Sequence, residues 1–95
     1  MSKTSNQPSL ISVVLPVYNG KDTIRLCVDS MLAQDFKDFE LVIVDDGSKD
    51  NSLEILNKEY AKFSNIKIYS KSNGGESSAR NYGVKQATSE YITFV

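Results

Sequence analysis

The residues able to do chemistry fall in three short segments. Pro16-Val17-Tyr18-Asn19-Gly20 offers an aromatic face for stacking and a phenol for hydrogen bonding, just before an Asn-Gly break. Asp45-Asp46-Gly47-Ser48 carries two adjacent carboxylates. Successive strand side chains point to opposite faces, so the two acids have different tasks. One can accept from a ligand's N–H or hydroxyl, the other from backbone amides of the turn or the next helix start. They are not a paired acid–base site, because their side chains diverge. Ser72-Asn73-Gly74-Gly75-Glu76 is a glycine-bearing loop that opens a helix. Its backbone N–H groups and the positive end of the helix dipole suit an anion. Arg80, a little over one turn into that helix, could add a bidentate phosphate contact. Each segment taken alone also has a plain structural role: a turn with a half-buried tyrosine, an aspartate turn, or a loop beside a solvated arginine.

What is missing narrows the chemistry. The 95 residues contain no histidine, which excludes His-ligated zinc and His-based triads. Neither a G-x-G-x-x-G turn follows the first apolar run nor a Walker A lysine loop any later one, so NAD-type and P-loop readings fail. The single Cys27 cannot form an internal disulfide and reads as a small core thiol. Eleven basic residues against 12 acidic ones give a net charge of −1, which argues against nucleic acid or an anionic membrane as the main partner. No apolar stretch approaches the ~20 residues of a membrane helix, and no signal peptide opens the chain. A cytoplasmic location follows as the expectation, with any association at the inner face of a membrane left to parts outside this sequence.

The elements that must position these segments alternate in period. Leu10–Val17 is a nearly continuous β-branched apolar run, as in strands covered on both faces. Pro16 should end its pairing. From Asp22, an expected N-cap, Ile24, Cys27, Val28, Met31 and Leu32 recur at helical spacing. Phe39–Val44 is a second buried strand. Leu53, Leu56, Tyr60 and Phe63 mark a second helix, with Asn51 and Glu54 spaced as a capping box. Ile66–Tyr69 alternates and reads as an edge strand. Glu76–Ala87 is a third helix whose face of Ala79, Gly83 and Ala87 permits close approach to a sheet. Tyr91–Val95 is a fourth, buried strand. Met1–Ser9 reads as a flexible tail, and residues 10–95 as one unit. The order β-α-β-α-β-α-β implies an α/β, Rossmann-like, three-layer α/β/α fold with a mostly parallel sheet and ligands at the carboxyl ends of its strands.

Two families share pieces of this pattern. Val42-Ile43-Val44-Asp45-Asp46 alone resembles the acidic strand of response-regulator receiver domains, but a strand precedes it and Tyr69-Ser70-Lys71 holds no phosphoacceptor aspartate. Taken together, Ile11–Gly20, Phe39–Ser48, Asn73–Gly83 and Glu90–Val95 resemble the amino-terminal, nucleotide-binding half of a family 2 glycosyltransferase of GT-A fold. That resemblance implies a nucleotide-sugar donor, most often UDP-linked, lying across the strand ends. Pro16 and Tyr18 would line the base pocket together with Val17 and Asn19. Asp46, or Asp45 in another register, would accept from the uracil N–H. Asn73, Gly75 and Arg80 would face the base and diphosphate. It further implies transfer with inversion to a glycan, polysaccharide or lipid-linked acceptor. The Mn²⁺ or Mg²⁺ ligands and the catalytic base are expected beyond Val95, which leaves no catalytic or metal residue in this chain and the fragment inactive. The alternative is a non-catalytic nucleotide-binding or scaffold domain of the same fold.

Overall fold

The computed structural model describes residues 10–35 and 38–95, so the expected tail over 1–9 lies outside the described residues. The elements run β1 (Ile11–Val17), α1 (Ile24–Leu32), β2 (Phe39–Asp45), α2 (Ser52–Glu59), β3 (Ile66–Ser70), α3 (Glu76–Gln86) and β4 (Tyr91–Phe94). The strands form one sheet in the order β3-β2-β1-β4, and every pair in it is parallel. The α/β architecture read from the alternating periods is the one observed.

Strand periodicity divides the core between two faces. Val13, Leu15, Val17, Leu41 and Ile43 project to one side, where Ile24 and Val28 of α1 and Ile55 and Leu56 of α2 cover them. Val14, Val42 and Val44 project to the other and meet Ala79 of α3. Cys27 is partly buried at the edge of the first core, and that burial raises its thiol pKa. Every residue of β2 is buried, as a central strand covered on both faces requires. Helix α3 approaches so closely that a Cβ at Gly83 would sit 2.5 Å from Val14 Cγ1.

At the amino end of the sheet the second face holds a buried polar cluster. Glu40 Oε2 accepts from Ser12 Oγ (2.6 Å), Thr88 N (2.7 Å) and Thr88 Oγ1 (3.0 Å). Ser89 N donates to Ser12 Oγ at 3.1 Å. A buried carboxylate is tolerable only with such partners, and these fasten the α3–β4 junction to β1 and β2.

Five local expectations are corrected. Pro16 does not end pairing: it stands opposite Val44, and the ladder continues to Val17 and Asp45. Asp46 N donates to Val17 O and Val95 N to Val14 O, so odd residues of β1 address β2 and even ones address β4. The missing N–H of Pro16 therefore falls on the β4 side, past the last partner pair Val14–Phe94. Asp22 is not the cap of α1. The Gly20 carbonyl accepts from both Thr23 N and Ile24 N at 2.9 Å, which holds a turn there and delays the helix until Ile24. Asn51 sits at the N-cap of α2 but makes no side-chain cap bond. Asp50 Oδ1 takes Ser52 N instead, at 2.9 Å. On α2, Ile55 rather than Leu53 is buried with Leu56 and Tyr60. Finally, β4 is exposed along its length, because it pairs only with β1 at the sheet edge and no helix among the described residues covers it. The edge reading of β3 holds.

Candidate functional site

Strand order reverses at β1, and a cleft of about 420 Å³ opens at the carboxyl ends of the strands. Pro16, Val17 and Tyr18 from the end of β1 form one side, and Asp46, Asn73, Gly75 and Glu76 the other. Six of the nine residues expected at a site are thus brought together. Tyr18 is half exposed, leaving its ring face available to a planar group.

The two aspartates separate as the pleat dictates. Asp45 turns inward, 2% exposed, and accepts Ser48 N at 3.1 Å and Ser48 Oγ at 2.6 Å. Asn19, also outside the cleft lining, has a φ of 51°, a left-handed conformation that asparagine tolerates. Its Oδ1 accepts Lys49 N at 2.8 Å, while its own N–H donates to Ser48 Oγ at 2.8 Å. Asp45, Ser48 and Asn19 therefore lock the β1–α1 turn to the β2–α2 turn. They shape the rim of the cleft from behind.

Asp46 faces the other way and gathers the glycine loop. Its Oδ1 accepts from Lys71 Nζ (3.1 Å) and Gly74 N (3.0 Å). Its Oδ2 accepts from Gly75 N (2.9 Å) and Asn73 Nδ2 (3.2 Å). Burial alone would raise the Asp46 pKa, but the Gly74 amide, Lys71 and the Gly75 amide outweigh it and hold the carboxyl below its usual range. The loop amides expected to await an external anion are thus engaged by the chain's own carboxylate. Gly47 makes the approach possible: its φ is +71°, and a Cβ there would lie 2.6 Å from Asn73 N.

Arg80 is not among the residues lining the cleft. It pairs with Glu76 at 2.7 Å, one helical turn away, and its guanidinium lies 5.6 Å from the centre of the Phe94 ring. Glu76 lines the cleft, while Lys71 and Ser48 hold Asp46 and Asp45 beside it; the sequence reading assigned none of the three to the site. Glu76 was visible as the first residue of a helix facing the strand ends. Lys71 carried no local signal, because its partner lies 25 positions away.

The cleft combines an apolar and aromatic side with a side of carboxylate, amide and backbone N–H groups. That combination suits a planar ring bearing polar edges. Among the described residues no group of three or more His, Cys, Asp or Glu is placed to hold a metal ion, and both candidate aspartates already serve chain donors.

Comparison with known proteins bears on this geometry. The family model described as Glycosyl transferase family 2 matches residues 12–95. A hyaluronan synthase of Pasteurella multocida is 45% identical over 87 residues, 92% of this chain and 9% of that protein. The crystal structure of S. aureus TarS in complex with UDP-GlcNAc superposes with a TM-score of 0.80 at 39% identity, over 90% of this chain and 25% of the TarS chain. The mannosyltransferase PcManGT from Pyrobaculum calidifontis, in complex with GDP-Man and Mn²⁺, shares the fold with a TM-score of 0.79 at 23% identity, over 92% of this chain and 27% of its own. The chain spans between 9% and 28% of the length of curated relatives such as these.

Proposed function

Because this chain belongs to glycosyl transferase family 2 and has the α/β fold of GT-A glycosyltransferases, we propose that its cleft binds the uridine diphosphate part of a UDP-linked sugar. The observation that carries this reading is the convergence of Tyr18, Asp46, Asn73 and Gly75 on one cleft at the strand ends. The ring of Tyr18 supplies a face for the base, and the Asp46 side of the cleft supplies its polar edge. The binding of UDP-GlcNAc by TarS, a relative at 39% identity, supports a uridine nucleotide over other donors.

In this reading the chain is the donor-binding portion of an enzyme that transfers the sugar with inversion to a glycan, polysaccharide or lipid-linked acceptor. The acceptor class rests on relatives such as hyaluronan synthase. The chain's own residues bind and orient the nucleotide, and none of them is assigned the base that would activate an acceptor hydroxyl. A divalent cation and its ligands are assigned to residues outside these 95. The working location is the cytoplasmic side; no helix among the described residues is long and apolar enough to cross a membrane.

Isothermal titration of the chain with UDP, CDP and ADP tests the reading. UDP should bind more tightly than the other two, and Tyr18→Ala should weaken it about tenfold, in line with ~1–3 kcal/mol for base–aromatic stacking. Equal affinity for all three nucleotides, or a Tyr18→Ala variant that binds UDP unchanged, contradicts it.

A further inference from the structure

The four donors on Asp46 are divided between its two oxygens and between two sides of the wall. Asn73 and Gly75, which donate to Oδ2, line the cleft. Lys71 and Gly74, which donate to Oδ1, do not line it. The carboxylate thus has a back oxygen held by an ammonium and an amide, and a front oxygen turned toward the ligand side. A carboxylate offers about four lone-pair sites, and here all of them are filled by the chain itself. An incoming base N–H must therefore replace one donor. The candidate for release is the Asn73 amide, whose 3.2 Å bond is the longest of the four and whose Nδ2 keeps a second acceptor, Asp46 O, at 3.0 Å.

Lys71 is placed to keep the carboxylate oriented during that exchange. Its side chain is 17% exposed, its Nζ also donates to Ser72 O at 2.6 Å, and its backbone N donates to Asp45 O at 3.0 Å. Both ends of the residue are anchored, one to β2 and one to the glycine loop. We propose that Lys71 is a positioning residue for base selection: by holding Oδ1 from behind, it keeps Oδ2 directed into the cleft, where Asn73 gives way to the N3–H of a uracil. This deepens the UDP reading of the cleft and rests on it. Lys71 itself does not touch the nucleotide.

The test compares UDP with 3-methyluridine 5′-diphosphate, which lacks the N3–H, by calorimetric titration of the full chain. The wild-type chain should prefer UDP about tenfold or more, as a hydrogen bond to a charged acceptor warrants. In Lys71→Met, the ratio should fall to within about threefold. The pH below which UDP affinity declines should also rise, because Asp46 loses a neighbouring cation. A role confined to loop stability weakens both nucleotides equally and leaves their ratio unchanged. If Lys71→Met does not fold, Lys71→Gln provides the same comparison with a neutral donor. A wild-type chain that binds no UDP overturns the reading of the cleft and this inference with it. UDP binding with an unchanged ratio in the Lys71 variants overturns this inference alone.

Discussion

Asp46 shows how one side chain can organise a site before any ligand arrives. It is 3% exposed, and it survives burial as a carboxylate because two backbone amides, a side-chain amide and an ammonium donate to it. Its pKa is lowered from the ordinary 3.8 by the Gly74 amide, Lys71 and the Gly75 amide, against the opposing effect of burial. A carboxyl with a depressed folded-state pKa adds stability that is fully present above the unfolded value. That stability is lost as pH falls through the lower folded value. Urea unfolding followed from pH 7 down to pH 2.5 should therefore show a loss of stability below about pH 4. Asp46→Asn should be less stable at pH 7 by about 1.5–3 kcal/mol, the worth of a hydrogen bond to a charged group. Its decline toward acid should be shallower than that of the wild type. Equal slopes would mean that other carboxylates carry the acid sensitivity. The adjacent pair was legible as two acids with different tasks, since strand pleating sends neighbours apart. Which task each had was not, because Lys71, Asn73 and the two glycines lie 25 to 29 positions away.

Helix α3 has a weak apolar pattern, yet it is the element most closely fitted to the sheet. Its buried residues are Ala79 and Gly83, and packing depends on backbone proximity rather than on side-chain volume. Adding a methyl at Gly83 would improve helix propensity by about 1 kcal/mol. The 2.5 Å approach to Val14 Cγ1, with Val44 Cγ2 at 3.3 Å, forces a shift of the helix against two valines in the middle of the sheet. Overpacking of this kind costs about 1–3 kcal/mol. Gly83→Ala should therefore lower the urea midpoint despite the better propensity, and an unchanged or raised midpoint would show that α3 can move away freely. The small-residue face was readable from Ala79 and Gly83. The partners it approaches were not, because a helix sequence does not name the strands beneath it. The burial of β4 was misjudged for the same reason. An apolar strand reads alike at a sheet centre and at an edge, and only strand order placed Tyr91–Phe94 at the edge.

For the whole molecule, the disposition of chemical groups decides what these 95 residues can do. The cleft holds groups suited to a planar base with polar edges. Among the described residues no cluster is placed for a metal ion. The purified chain should consequently bind UDP with an affinity that is the same with Mn²⁺ as with EDTA, and should transfer no sugar from UDP-GlcNAc to any glycan acceptor. Sugar transfer by the chain, or strong Mn²⁺ dependence of its UDP affinity, would require ligands that this geometry does not display. The sequence by itself determined the order of elements, the parallel sheet and the two-faced core. Those follow from local periodicity and from crossovers too long for hairpins. Its motifs at the strand ends, and their resemblance to family 2 glycosyltransferases, also brought out Pro16, Val17, Tyr18, Asn73, Gly75 and the Asp45–Asp46 pair without deciding between the two acids. Only the tertiary structure decided that Asp45 and Asn19 hold the turns together, that Arg80 stays out of the cleft lining and pairs with Glu76, and that Lys71 stands behind Asp46. Hydrogen bonds and ion pairs select partners by distance in space, and residues far apart in the chain meet only once the sheet has fixed where each strand ends.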